Sequence, residues 1–379
     1  MKRALIVASV ASMIEQFNLD NIQILIDLGF TVDVATNFTN PGTITETIVE
    51  NLRKKLKEKG VNCIQIDFPR GIGTFKQDKQ CYEKLKQLSN NNYALVHCHS
   101  PIGGAITRLA FRNTQTKVIY TAHGFHFFKG GPVKNWLIFY PIERYLSRYT
   151  DVLLTINNED YEIAQKFHAK KAIKIPGVGI KKVDHPVTTK NERKQLRKRL
   201  GIDDDALVII SVGELSKRKN HVTALRALHN LDFNFYYIIC GTGDELAFLK
   251  QLVKDFSLEE KVHFTGYQSN IEPYLEISNL SIFISKREGL GLAGLEAMAA
   301  GVPLISSYVG GIKDYTEDGI TGFVIKDPSD ENEVLEKLQQ WISLSQDEKV
   351  SMSKKCELIS QNYTIQEVNK IMFKIYSNK

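Results

Sequence analysis

The sequence predicts an α/β protein built as two doubly wound domains in series. Three observations carry this expectation. Short β-branched runs alternate with longer amphipathic stretches, the pattern of a parallel sheet covered by helices on both faces. The alternation breaks once, at Pro176-Gly177-Val178-Gly179, and then restarts. The length, 379 residues, corresponds to about 2.5 domains of ordinary size.

In chain order, the first array reads as strands at 4–9, 31–35, 62–68, 94–97, 117–122, 151–156 and 172–175, with helical stretches such as 51–59 and 134–148 between them. A polar segment, 181–199, follows with eight Lys or Arg against two acidic residues and ends in a short basic helix. The expected layout is therefore a first domain over 1–180, a linker over 181–200 and a second domain over 201–363. The second array reads as strands at 207–212, 235–240, 261–264, 280–285, 303–306 and 322–325. After helices at 331–341 and 346–361, the last segment sets Ile365, Val368, Ile371, Met372 and Ile375 on one stripe, a helix with a single buried face. Two such arrays imply domains facing each other across a cleft.

Composition narrows the function classes. Hydrophobic residues at 43% and charged residues at 24%, with 10 Pro and 25 Gly, describe a core-forming chain without disordered or collagen-like tracts. Five cysteines (Cys63, Cys81, Cys98, Cys240, Cys356) are an odd number without a Cys-x-x-Cys pair, which argues against a disulfide framework or a zinc ribbon and fits a reducing cytoplasm. The apolar run 4–10 is too short for a secretory leader, and no run approaches the roughly 18 apolar residues of a membrane span. Net charge is +6, unevenly placed: residues 1–180 hold 23 Lys/Arg against 15 Asp/Glu (+8), and 181–379 hold 26 against 28 (−2).

The most informative stretch runs from Ser285 to Pro303. It leaves a strand, passes Glu288, Gly289, Leu290 and Gly291, and becomes a helix carrying Glu296. A helix N-terminus at the carboxyl end of a parallel strand offers unpaired N–H groups and a positive dipole end to a phosphate. Glu288 and Glu296 flank that point, and carboxylates accept from the hydroxyls of sugars and ribose. A glycine turn with two surface glutamates is the plainer alternative.

A second stretch, Ser211 to Asn220, follows the first strand of the second array with Gly213 and then Lys217-Arg218-Lys219, suited to a diphosphate or simply a solvated basic turn. A third, Gly241-Thr242-Gly243, brings glycines to the next strand end without the third glycine of a dinucleotide fingerprint. In the first array His97, His99, His123 and His126 fall at or beyond two strand ends. A hydrogen-bonding histidine suits them better than a metal, since no carboxylate or cysteine set completes a ligand sphere. Asp203-Asp204-Asp205 reads as a turn, so no bound divalent ion is expected. Finally, residues 125–149 mix Phe125, Phe127, Phe128, Trp136, Phe139, Tyr140, Tyr145 and Tyr149 with Lys129, Lys134, Arg144 and Arg148, which suits an anionic membrane interface or a helix packing its rings into a core.

Glu288-x7-Glu296 within Glu-Gly-x-Gly-x-x-x-x-Glu-Ala-Met-Ala-x-Gly-x-Pro resembles the retaining glycosyltransferases of family 4, whose GT-B fold has two Rossmann-like domains. Val212-Gly213, Lys219, Gly241-x-Gly243 and Phe264-Thr265-Gly266 match the donor-binding half of that family. His123-Gly-Phe-His126, Asn135-Trp136, Tyr140-Pro-x-Glu-Arg and Pro176-Gly-Val-Gly are similar to bacterial enzymes of capsule and exopolysaccharide assembly.

The resemblance implies roles. Glu288 would meet the donor sugar, Glu296 the ribose hydroxyls and Lys219 the diphosphate. Amides around Gly291 and Leu292 would hold phosphate oxygens, Gly266, Tyr267 and Gln268 would line the base, and His123 would stand beside the transferred sugar. Ser12, His99 and His126 fall on the acceptor side, and the last helix would return to the first domain. The reaction implied is metal-independent transfer of a hexose or N-acetylhexosamine with retained configuration, from a UDP-sugar in preference to a GDP-sugar, to a polyprenyl-diphosphate-linked glycan at the cytoplasmic face of the membrane. A nucleotide-sugar 2-epimerase of the same fold, or a non-catalytic sugar-nucleotide-binding partner, are the rivals. Two departures stand out: Glu214 replaces the family's usual Arg, leaving its place to Arg218, and Ala8-Ser9-Val10-Ala11-Ser12-Met13 replaces the usual Gly-Gly turn. The +8 half carries the aromatic-basic segment, so its surplus is read as attraction to anionic lipid and not to nucleic acid.

Overall fold

The computed structural model describes residues 2–69, 71, 73–182 and 186–377. The chain divides into two compact units, residues 1–178 with 366–379, and residues 179–365. The first is built on strands β1 (Lys2–Val7), β2 (Phe30–Thr36), β3 (Asn62–Gln65), β4 (Tyr93–His99), β5 (Lys117–Ala122), β6 (Val152–Thr155) and β7 (Lys171–Lys174). They form one parallel sheet in the order β3-β2-β1-β4-β5-β6-β7. The second holds β8 (Leu207–Val212), β9 (Phe235–Cys240), β10 (Val262–Gly266), β11 (Leu280–Phe283), β12 (Leu304–Ser307) and β13 (Gly322–Ile325), parallel in the order β10-β9-β8-β11-β12-β13.

Both units are doubly wound. Strand order reverses between β1 and β4 in one sheet and between β8 and β11 in the other, and connections leaving such a pair diverge to open a crevice at the carboxyl edge. Strands buried on both faces read as continuous apolar runs, and β8, Leu-Val-Ile-Ile-Ser-Val, is buried along its first five residues. Its core joins Ile209, Tyr237, Ile239 and Ile282 to Leu225, Leu249 and Trp341 from the covering helices.

Element ends are where the structure departs from the sequence pattern. The β3 strand stops at Gln65 because Phe68 N–H turns back to the Ile66 carbonyl at 2.9 Å. The β11 strand stops at Phe283, beyond which the Ile284 carbonyl accepts from Asn220 Nδ2 at 3.2 Å and the Ser285 carbonyl from Ser307 at 2.6 Å. The segment expected as a linker belongs largely to the second unit. Its helix, Lys190–Arg199, starts in a Thr189/Glu192 capping box, and Arg193 pairs with Glu276 at 3.4 Å. Residues 183–185 of that segment lie outside the described residues.

The last helix, Ile365–Ser377, buries Val368, Met372, Ile375 and Tyr376 in the first unit. The Tyr376 hydroxyl lies 2.6 Å from His97 Nδ1, and Lys117 Nζ donates to the Ile375 carbonyl at 2.7 Å. The two points where the chain changes units are tied together. Ile180 N–H donates to Tyr363 O at 2.8 Å and Ile365 N–H to Ile180 O at 2.9 Å. Gly179, with φ +83°, fits there because a Cβ would stand 2.6 Å from Ile365 Cα. Among the described residues no helix is long and apolar enough to cross a membrane.

Candidate functional site

In the second unit the switch point between β8 and β11 gathers the charged residues singled out in the sequence. The β8 exit loop, 213–220, and the β11 exit loop, 284–291, are joined by Lys286 N–H donating to Arg218 O at 2.8 Å. Across them Lys219 Nζ lies 2.7 Å and Arg218 Nη1 2.9 Å from the same Glu288 oxygen. Arg218 also reaches Glu214 at 3.6 Å and donates to the Arg287 carbonyl at 3.2 Å. Lys219 and Glu288 keep only 12% and 10% of their side chains exposed, so this pair is far less screened than a surface ion pair. Phe283 lies under the ammonium, 5.0 Å from ring centroid to Nζ.

Glycines make this approach possible. A Cβ on Gly241, φ +158°, would lie 1.8 Å from Gly213 O, and one on Gly243 would lie 2.4 Å from Leu215 O. Their missing side chains thus make room for the β8 exit loop itself, which passes directly over the β9 end. Gly291, φ +86°, caps the helix Leu292–Ala299 with its carbonyl held by the Tyr315 hydroxyl at 2.9 Å. No side chain caps that helix, so its first N–H groups remain available to an anion.

Glu296, on the same helix, is half-buried; its backbone carbonyl accepts from Ala300 N–H at 3.2 Å, while its carboxyl makes no hydrogen bond or ion pair among the described residues. Its carboxyl is raised above the usual range, first by burial and then by Glu272, against opposing pulls from Lys219 and Lys181. Gly266 adopts φ +71° at the end of β10, Tyr267 is 78% exposed, and Gln268 Nε2 donates to Thr265 O at 2.7 Å. Leu290 is buried.

Three features of this site escape the sequence motifs. Gly310 and Gly311, just past β12, press on the β11 loop so closely that a Cβ would stand 2.0 Å from Glu288 O and 2.3 Å from Gly289 O. The Gly-Gly pair at a strand's carboxyl end was the available signal. Glu272 enters from a short helix, Glu272–Glu276, with no local pattern to mark it. His221, beside Lys219, is buried, pushed down to about 4 mainly by desolvation, and its Nε2 has no partner among the described residues.

In the first unit the histidines separate. His97 is enclosed, its Nε2 2.7 Å from Thr121 Oγ1, so it anchors the last helix instead of lining a site. His99, expected on the acceptor side, is also enclosed and reaches His123 Nε2 through Nδ1 at 3.1 Å. Of the four histidines at the two strand ends, His123 and His126 keep exposure: His123 is half-buried and His126 exposed, its ring 5.2 Å from Phe139. Burial holds His97 down to about 3 and His123 down to about 4, so both rings are neutral near pH 7. The His123 loop is pinned by buried Asp160, whose Oδ2 accepts from Phe125 N–H at 3.2 Å. Ser12, expected on the acceptor side, is buried. Its N–H donates to Pro41 O at 2.8 Å, and a Cβ on Gly42 would lie 2.3 Å from its hydroxyl. Ser9, in the stretch that stands in place of the expected Gly-Gly turn, accepts from Gly103 N–H at 3.0 Å.

Among the described residues no three His, Cys, Asp or Glu side chains gather as a metal site. The arrangement offers cations and helix amides to a phosphate, and carboxylates to hydroxyls.

Solved structures identify the class. HepE of Anabaena, determined in complex with UDP, superposes with a TM-score of 0.79 over 100% of both chains at 17% identity. The fold is therefore of the GT-B class. A model of glycosyl transferases group 1 matches residues 192–358, and one of glycosyl transferase 4-like domains matches residues 22–157. EpsD of Bacillus subtilis (strain 168), which carries the name of a glycosyltransferase, is 36% identical over 259 residues, 66% of this chain and 68% of that protein. The UDP-Gal:alpha-D-GlcNAc-diphosphoundecaprenol alpha-1,3-galactosyltransferase of Escherichia coli is 29% identical over 268 residues, 68% of each chain. The chain belongs to the group 1 glycosyltransferases.

Proposed function

We propose that this glycosyltransferase moves a hexose or N-acetylhexosamine from a UDP-sugar, with retained configuration, to a polyprenyl-diphosphate-linked glycan in bacterial surface-polysaccharide synthesis, working at the inner face of the cell membrane. The observation that carries the reading is the cluster of Lys219, Arg218 and Glu288 at the β8/β11 switch point, beside the uncapped helix headed by Gly291. The neighbour solved with UDP and the relative named for a diphosphoundecaprenol acceptor support the choice of donor and acceptor.

In this reaction the bond between the anomeric carbon and the diphosphate breaks, and a bond to the acceptor oxygen forms on the same face. The acceptor proton passes to the departing phosphate. Charge developing on the diphosphate is met by Lys219, Arg218 and the N–H groups after Gly291, so the protein itself supplies the electrostatic stabilisation. When the two cations turn to phosphate, Glu288 is released to accept from sugar hydroxyls. Glu296, without another partner, accepts from the ribose; Gly266, Tyr267 and Gln268 border the base; His123 offers a neutral imidazole.

A panel of nucleotide-sugars, assayed for nucleoside diphosphate release with and without a polyprenyl-linked acceptor, tests this. UDP release that requires the acceptor supports the proposal. Epimerised donor formed with no UDP release would replace it by a 2-epimerase.

A further inference from the structure

The helix Val133–Leu146 is apolar on both sides. Its inner side packs Trp136, Phe139 and Tyr140 against the core of the first unit and buries Glu143 and Leu146. Its outer side is also apolar: Val133 and Leu137 are 72% and 73% exposed, and Ile138, Ile142 and Tyr145 are exposed as well. A helix with apolar residues all round is ordinarily buried all round. Five large apolar side chains left bare on one short helix therefore mark a docking face.

Charge selects the partner. Lys129, Lys134, Arg144 and Arg148 are exposed around this face, and the only acidic residue from 129 to 150 is Glu143, which points inward. There Glu143 meets the fully buried Arg108 at 2.9 Å, and the guanidinium lies 4.0 Å from the centroid of the Tyr120 ring. A buried pair of this kind fixes the helix's rotation, because turning the outer face inward would strand Arg108 without its counter-ion. Two copies meeting through the face would bring like charges together. At 14 residues, about 21 Å, the helix is too short to cross a bilayer but suited to lie within its surface.

We infer that the outer face of this helix is the membrane-docking surface of the protein: its apolar residues enter the interfacial layer while the basic fringe engages anionic headgroups. The inference deepens the reading of a membrane-linked acceptor and rests on it. The docking helix also supports the histidine loop directly, through Asn135 Nδ2 donating to the His126 carbonyl at 2.8 Å.

The test is vesicle flotation of the full chain, using phosphatidylcholine alone and phosphatidylcholine mixed one to one with phosphatidylglycerol. The wild type is expected to float with the anionic vesicles. Leu137→Glu/Ile138→Glu, with an unchanged circular dichroism spectrum and thermal unfolding midpoint as the folding control, is expected to weaken that binding at least about tenfold. Lys134→Ala/Arg144→Ala/Arg148→Ala is expected to abolish the preference for anionic lipid. Equal flotation of the wild type and the acidic variant would overturn the helix assignment while leaving a membrane location intact. A wild-type dimer dissolved by the acidic pair would show that the face meets a second copy. No flotation with either vesicle would remove both the helix assignment and the membrane reading. Acceptor-dependent UDP release in detergent reports on the transferase reading independently of all three.

Discussion

Glu288 holds two cations in the free chain, and its competition with phosphate has a measurable sign. Neutralising it should free Lys219 and Arg218 for a diphosphate. Glu288→Gln is therefore expected to bind UDP more tightly than the wild type in calorimetry while losing about a hundredfold in turnover, since the sugar hydroxyls exchange a charged acceptor for a neutral amide. Weaker UDP binding by the variant would mean that Glu288 supports the cations instead of competing for them. Glu296 carries a second signature. Its carboxyl is raised by burial and Glu272, so it takes up a proton at higher pH than an ordinary glutamate. The ionised form is the one that accepts from ribose. UDP affinity should accordingly fall as pH is lowered through this raised value, and the step should be missing in Glu296→Gln; an identical pH profile in both proteins would separate Glu296 from nucleotide binding. The motif residues Lys219, Glu288 and Gly291 were legible in the sequence because glycines and charges cluster at a strand end. Glu272 and His221 were not, since their relevance depends on which elements pack beside that strand end. Ser12 and His99 show the converse: position near a strand end did not reveal that Pro41-Gly42 and neighbouring rings would cover them.

At the scale of elements, the parallel strands were the most readable part of the chain. Burial on both faces demands unbroken apolar runs, and the limits expected for β5, β8, β9 and β13 coincide with those observed. Ends set by side-chain traffic were less readable, as at β3 and β11. The last helix shows how far a stripe goes: five apolar positions announce one buried face, but not the surface it covers. That surface includes His97 and Lys117 in the first unit, 279 and 258 residues earlier than their partners in the chain. Met372, 1% exposed, is its most deeply seated residue. Met372→Ala should cost about 2–5 kcal/mol in denaturant unfolding, the range for a large-to-small core change. A loss below about 0.5 kcal/mol would mean that the helix is not held by packing.

Over the whole molecule, length and the restart of the strand–helix alternation indicated two domains, while the route between them emerged only from the structure. The Pro176-Gly-Val-Gly interruption was visible in the sequence, yet the outgoing and returning segments meet at Gly179 and Ile365, positions almost as far apart in the chain as the second unit is long. Gly179→Ala faces both a left-handed φ and a backbone contact, whereas Gly201, φ +64°, has nothing within 4 Å of an added Cβ. Thermal unfolding should register well over 1 kcal/mol for Gly179→Ala and about 1 kcal/mol or less for Gly201→Ala. Equal shifts would show that backbone conformation alone sets the cost. The donor site at the β8/β11 switch point is tested most directly by one comparison: acceptor-dependent UDP release by the wild type and by Lys219→Ala, measured with the best donor of the panel. The predicted result is a loss of at least about a hundredfold, as expected when a principal stabiliser of the leaving diphosphate is removed. Full turnover in Lys219→Ala would contradict the assignment of the β8/β11 switch point as the donor site.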